Sequence, residues 1–192
     1  MRISPDSARR DDGFTLIELI IYSALLLLVM GLTGSILING MTNQARITET
    51  AVATSEAQVA AESIGNGVRN AQAISSPTAA SPFLVVLTVG RGENATPSCQ
   101  AWYYSAAARE LRTTTTSPGT RIAVPSSSQF ATWTLLAEDV DPVSGTLMLN
   151  TAGRTVNVAY AVEPDQGATQ VIQTSFTSRQ PAGTGDLGQC VL

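Results

Sequence analysis

The costliest chemistry in this sequence is a carboxylate placed where no charge is expected. Glu18 lies among Leu16, Ile17, Leu19 and Ile20, at the head of a stretch from Leu19 to Gln44 with no charged residue. At the centre of a membrane helix such a group would cost about 2.5–3.5 kcal/mol, so it either snorkels to the headgroups or meets a cation. Cys99 and Cys190 are a second pair, and they form a disulfide if exported or remain reduced thiols if cytosolic. Glu138, Asp139 and Asp141 offer oxygen ligands for calcium. Pro142 and the absence of a spaced ligand loop favour a solvated turn instead. Arg109, Arg112 and Arg121 make a candidate basic spot, and Asn94-Ala95-Thr96 fits an N-glycosylation acceptor.

The 192 residues include no histidine and no lysine, and the formal net charge is -4. Ser-His-Asp and Cys-His catalysis are therefore excluded, and two cysteines alone cannot close a zinc site. The net charge survives loss of the first thirteen residues, which hold three Arg and three Asp, and it opposes phosphate binding over the surface as a whole. The sequence contains no catalytic constellation, so the expectation is a non-enzymatic protein without cofactor, metal or nucleic-acid partner.

The element that must carry Glu18 is legible. Leu19 to Ile38 reads LIIYSALLLLVMGLTGSILI, with Tyr22, Ser23, Thr33 and Ser35 as its polar side chains. At about 1.5 Å per residue, a helix of that length crosses the roughly 30 Å hydrocarbon core of a bilayer. A cleaved secretory signal competes with this reading, but its apolar region runs about 7–15 residues and ends in a small-x-small site, which the sequence after Ile38 lacks. Arg2, Arg9 and Arg10 precede the run and Arg46 follows it, which leaves the N-terminus cytoplasmic.

Gly13-Phe14-Thr15-Leu16-Ile17-Glu18-Leu19 follows a short polar leader and opens the apolar run. GFTLIEL in that setting resembles the processing site of type IV pilins and of the pseudopilins of type II secretion and competence systems. The resemblance covers residues 1 to about 45. It implies cleavage by prepilin peptidase between Gly13 and Phe14, N-methylation of Phe14, and a role for Glu18 in setting assembly register by pairing with the N-terminal amine of a neighbouring subunit. It also implies partners: other pilins or pseudopilins through the N-terminal helix, a membrane assembly platform, and the lipid bilayer before assembly. The sequence departs from the family pattern in two places. Asp11 and Asp12 separate Arg9 and Arg10 from the glycine, and the apolar run holds Gly31 and Gly34 where many major pilins have a proline.

Thr42 to Ile74 contains no proline and repeats Ala57, Ala60, Ala61, Ile64, Val68, Ala71 and Ile74 at three- and four-residue spacing, which predicts a continuing amphipathic helix. Gly65 and Gly67 interrupt it and could bend it, and Ser75-Ser76-Pro77 stops it. Beyond Pro82 the sequence alternates β-branched runs with turn residues. Strands are expected at 83–89, 100–105, 110–116, 130–136, 146–150, 155–162 and 169–177, with a turn at Asp141-Pro142 with Ser144-Gly145. Trp102-Tyr103-Tyr104 followed by Leu111-Arg112 resembles a hairpin of PilW-like minor pilins and J-type pseudopilins, although an ordinary aromatic hairpin fits the same residues.

The expected architecture is α+β and pilin-like. It comprises a leader at 1–13, a transmembrane or filament-core helix at 14–38, its amphipathic continuation at 39–75, and an exported antiparallel β domain at 82–192. On the exported side the two cysteines read as one disulfide. The expected function is a structural subunit, a minor pilin or pseudopilin, held first in the cytoplasmic membrane and then in an extracellular or periplasmic filament. The alternatives are a major pilin, a competence pseudopilin for DNA uptake, and a single-pass membrane protein with an extracellular ligand-binding β domain.

Overall fold

The computed structural model describes residues 15–76, 82–89, 96–181 and 185–191. The architecture is α+β, a long N-terminal helix followed by antiparallel sheet, in a layout consistent with a pilin-like fold. Helix α1 spans Leu16–Arg69. The chain forms two compact units, residues 1–44 and 45–192, so α1 belongs to both.

In the first unit the helix starts on a side-chain cap. Thr15 Oγ1 accepts from the Glu18 amide at 3.3 Å, satisfying a donor that the first turn would otherwise leave orphaned. Apolar side chains from Leu16 to Met41 are exposed within the chain.

In the second unit two sheets share one core with the helix. Sheet A has the order β1-β2-β3-β4-β5, from Ala71–Ser75, Phe83–Thr88, Ser98–Ser105, Glu110–Thr116 and Thr134–Ala137. In sheet B the central strand β8 (Thr155–Val162) pairs with β9 (Gln170–Thr177), β6 (Val140–Pro142) and β7 (Leu149–Ala152). The helix contributes Ala53, Ala57, Ala60, Ile64 and Val68 to a cluster with Leu84, Val86 and Trp102 of sheet A and Val156, Val158 and Tyr160 of sheet B. The period-two alternation of β8 places Val156, Val158, Tyr160 and Val162 inward. Strand β2 is buried on both faces, because Phe83, Val85 and Leu87 join a second cluster with Cys99, Ala101, Ile122 and Cys190.

Four expectations are corrected. The helix ends at Arg69, short of Ile74 and of residue 75. The Arg69 and Asn70 carbonyls accept from the Arg179 and Val89 amides, both at 3.0 Å, and Ala71–Ser75 pairs with β2 as strand β1. Of the turn expected at Asp141-Pro142 with Ser144-Gly145, only the second half turns: Asp141 and Pro142 belong to β6, and the turn follows where the Thr146 amide donates to the Val143 carbonyl at 3.0 Å. Phe130 ends a four-residue helix α2, Ser127–Phe130, under a Ser126/Gln129 capping box, and the strand follows only at Thr134. Gly65 and Gly67 are uninterrupted helix and mark close approach to the sheets. A Cβ on Gly67 would run into the Trp102 ring, and one on Gly65 would stand 2.8 Å from the Phe176 ring.

Two rings from the sheets reach the helix with polar tips satisfied. Trp102 Nε1 donates to Ser63 Oγ at 3.0 Å, and Tyr160 Oη donates to the Ala57 carbonyl at 2.6 Å. Burial holds the Tyr160 phenol well above its ordinary pKa, and burial followed by Asp141 raises that of Tyr104.

Gly67→Ala is expected to destabilise the full chain in detergent by about 1–2 kcal/mol. The clash with an indole that is fully buried and hydrogen-bonded outweighs alanine's helix propensity. Gly65→Ala meets the rim of a less confined ring and should cost less, and urea midpoints of the two variants check the order. Alkali supplies a second test. The folded state keeps the Tyr160 proton while the unfolded phenol releases it near pH 10, so stability is full below about pH 10 and falls above it. Between about pH 9 and pH 11, Tyr160→Phe should show a flatter decline in urea midpoint than the parent chain, from a lower starting value at neutral pH.

Candidate assembly site

Glu18 occupies the first turn of α1, where the positive end of the helix dipole favours a carboxylate. Tyr22, one turn on, donates its hydroxyl to Glu18 Oε1 at 3.1 Å. The other hydroxyls of the apolar run turn back onto the helix. Ser23 Oγ donates to the Ile20 carbonyl at 2.9 Å, Thr33 Oγ1 to Val29 at 2.9 Å and Ser35 Oγ to Leu32 at 2.8 Å. All four polar side chains of the run are thereby satisfied within the helix, as a lipid or a dry bundle requires. The helix is long and apolar enough to cross a membrane, and none of its most apolar 18-residue window is buried in the chain. Gly13 and Phe14, expected at the processing site, lie outside the described residues.

The second unit carries the other predicted residues. Cys99 of β3 and Cys190 form a disulfide, with Cα atoms 5.4 Å apart and a sequence separation of 91. The bridge fastens a terminal segment that is also sewn down by backbone. The Ile122 amide donates to the Cys190 carbonyl at 2.7 Å, and the Gly119 amide to Gln189 at 3.0 Å.

Asp139 and Asp141 gather around one arginine, whereas Glu138 stands apart, its backbone amide donating to Glu56 Oε2 of the helix at 3.3 Å. Arg109, in the β3–β4 turn with φ 55°, reaches Asp141 at 2.6 Å, Glu163 at 3.1 Å and Asp139 at 3.4 Å. Its hydrogen bond to Asp141, with the nearby carboxylates, raises its pKa. One guanidinium thus ties the sheet A hairpin to two strand ends of sheet B. Sequence reasoning missed Glu163 in this group, since 54 residues separate it from Arg109 and no local pattern links them. The arginines of the candidate basic spot are each engaged with partners inside the chain. Arg112 holds Glu110 at 2.6 Å and the Trp133 carbonyl at 2.9 Å, and Arg121 donates to the Gly188 carbonyl at 3.0 Å.

Residues 8–34 match the family model of the prokaryotic N-terminal methylation motif. The match takes in Gly13, Phe14, Thr15, Glu18, Tyr22 and most of the apolar run, and it supports a type IV pilin-like prepilin. No curated protein and no solved structure matches the chain.

Replacing Cys99 and Cys190 together by alanine is expected to cost about 4–5 kcal/mol in the chain-entropy model for a loop of this length. Denaturant unfolding of the full chain in detergent, with and without reductant, checks it. The parent chain should lose stability on reduction and the double variant should not respond.

Proposed function

We propose that the chain is a non-enzymatic structural subunit of a type IV pilus-like or type II secretion-like filament. The observation that carries the reading is the methylation motif over residues 8–34, supported by Glu18 in the first turn of a helix whose apolar run bonds its own polar side chains. Prepilin peptidase would remove residues 1–13, cutting between Gly13 and Phe14, and the new Phe14 amine would be methylated. The helix from Phe14 to Ile38 then anchors the subunit in the cytoplasmic membrane, N-terminus inside, with the domain from 82 to 192 outside. Arg46 alone carries positive charge close beyond the span, against three arginines before it, which supports that orientation.

Assembly transfers the helix from lipid to a filament core of other pilins or pseudopilins, through a membrane assembly platform. There Glu18 meets the Phe14 amine of a neighbour, and each charge removes the other's penalty. Since an unpaired Glu18 is costly, the pair favours one axial register. The disulfide fits an oxidising compartment outside the membrane. The hairpin in which Tyr104 faces Leu111 and Tyr103 faces Arg112 supports a PilW-like minor pilin or J-type pseudopilin over a major subunit.

Mass spectrometry of the membrane-associated chain should find N-methylated Phe14 as the mature N-terminus. An intact Met1, or a cut after residue 38, would overturn the reading. Glu18→Ala should be processed normally yet lower filament yield at least about tenfold, because the neighbour's amine loses its counter-charge. Undiminished filaments would sink the register argument.

A further inference from the structure

Of the four polar side chains in the apolar run, three spend their hydroxyls on helix carbonyls one turn back. Tyr22 does not. Its hydroxyl donates to Glu18 Oε1 at 3.1 Å, across the four-residue spacing that brings two side chains together on one helix face. A hydrogen bond onto a carboxylate is stronger than one between neutral groups, and more so where water is scarce. The glutamate would otherwise sample several rotamers along an apolar surface. The bond selects one orientation and engages one of its two oxygens.

We infer that Tyr22 is the positioning residue for Glu18: it holds the carboxylate by Oε1 and leaves Oε2 to face a partner cation. The inference rests on the filament reading for the identity of that cation, while the tyrosine–carboxylate bond itself does not. In the lipid-embedded subunit the same bond lowers the penalty of an unpartnered charge, since the carboxylate retains a donor in a layer that offers none. On assembly the carboxylate needs no reorientation to receive its partner, so less rotamer freedom is lost when the pair forms. Phenylalanine at position 22 would keep the ring and its packing and delete the donor alone.

The test uses the full chain in its own assembly system and, separately, in lipid vesicles. Tyr22→Phe is expected to insert and be processed like the parent, and to assemble roughly tenfold to a hundredfold less filament, the range supported by one hydrogen bond to a charged group. In a Glu18→Gln background the same change should cause no further loss, because Tyr22 acts through Glu18. Wild-type yield in the single variant, or additive losses in the double variant, would overturn the assignment. Infrared spectra in vesicles, with glutamate carboxylates isotopically labelled and the Glu18 band assigned by its loss in Glu18→Gln, read the bond without any filament. Tyr22→Phe should shift that band, and an unshifted band would overturn the proposal even where filaments form. A mature N-terminus other than Phe14 would sink the filament reading instead, and the vesicle spectra would still decide the role of Tyr22.

Discussion

The second unit is organised by a division of size: beside Ile64 and Val68 the helix supplies mostly small side chains, and the sheets supply the rings that lie on them. Ala57 and Ala60 let the Tyr160 ring come close enough for its hydroxyl to reach a helix carbonyl. Gly67 makes room for the end of the Trp102 indole, and Ser63 accepts its N–H. Each ring therefore buries a large apolar area without leaving its polar atom unpaired, which in a core would cost as much as the bond is worth or more. Larger residues on this helix face would lift both sheets from it. The apolar stripe of the helix is thin because the partner surface brings the volume.

Around that contact the chain is closed by ties between distant positions. The β8–β9 loop is bound to the helix where the Gln166 amide donates to Glu49 Oε2 at 2.5 Å and the Ala168 amide to Thr50 Oγ1 at 3.3 Å. At the other end Ser178 Oγ donates to the Ala71 carbonyl at 2.6 Å and accepts from Arg154 Nη2 at 2.7 Å. The Arg109 group joins the sheets on the surface. With all its members substantially exposed it contributes geometry more than stability, because water and salt screen such pairs. The disulfide closes the face of sheet A turned away from the helix. Its cysteines sit in the second cluster, so it both crosslinks the chain and fills the core there.

The parts of this fold that local pattern determines could be read in the sequence, and the parts fixed by distant partners could not. Twenty residues without charge admit few structures, and the threonine-rich 110–116 and the alternating 155–162 read as strands with the limits observed for β4 and β8. The segment Ala71–Ser75 keeps the helical spacing of the residues before it. It becomes a strand because β2 offers a ladder and two strand-end amides take the carbonyls that would extend the helix. The glycines at 65 and 67 carry a local meaning, weak helix, and a tertiary one, close approach, and the second is visible only with Trp102 and Phe176 in place. α2 was the reverse case: Ser126 and Gln129 gave a capping signal that the apolar residues after them obscured. At the N-terminus the motif was legible residue by residue, but the bond from Tyr22 to Glu18 depends on a rotamer, and sequence spacing only permits it.

That bond bears on how one helix can serve in two solvents. Moving apolar side chains from lipid to a bundle of similar helices changes their hydrophobic free energy little, since acyl chains and leucines are equally apolar. The hydroxyls of Ser23, Thr33 and Ser35 are neutral to the exchange too, being bonded within the helix in either setting. What distinguishes the two environments is then close packing and the state of a single carboxylate. Under the proposed role, Glu18 is tolerable in the membrane because Tyr22 gives it a donor, and it is better placed in the filament because a cation joins it. A stronger internal partner, such as an arginine one turn away, would stabilise the membrane form and remove the reason to assemble. A tyrosine hydroxyl is polar enough to hold the carboxylate and carries no charge to neutralise it, so the demand for a cation remains.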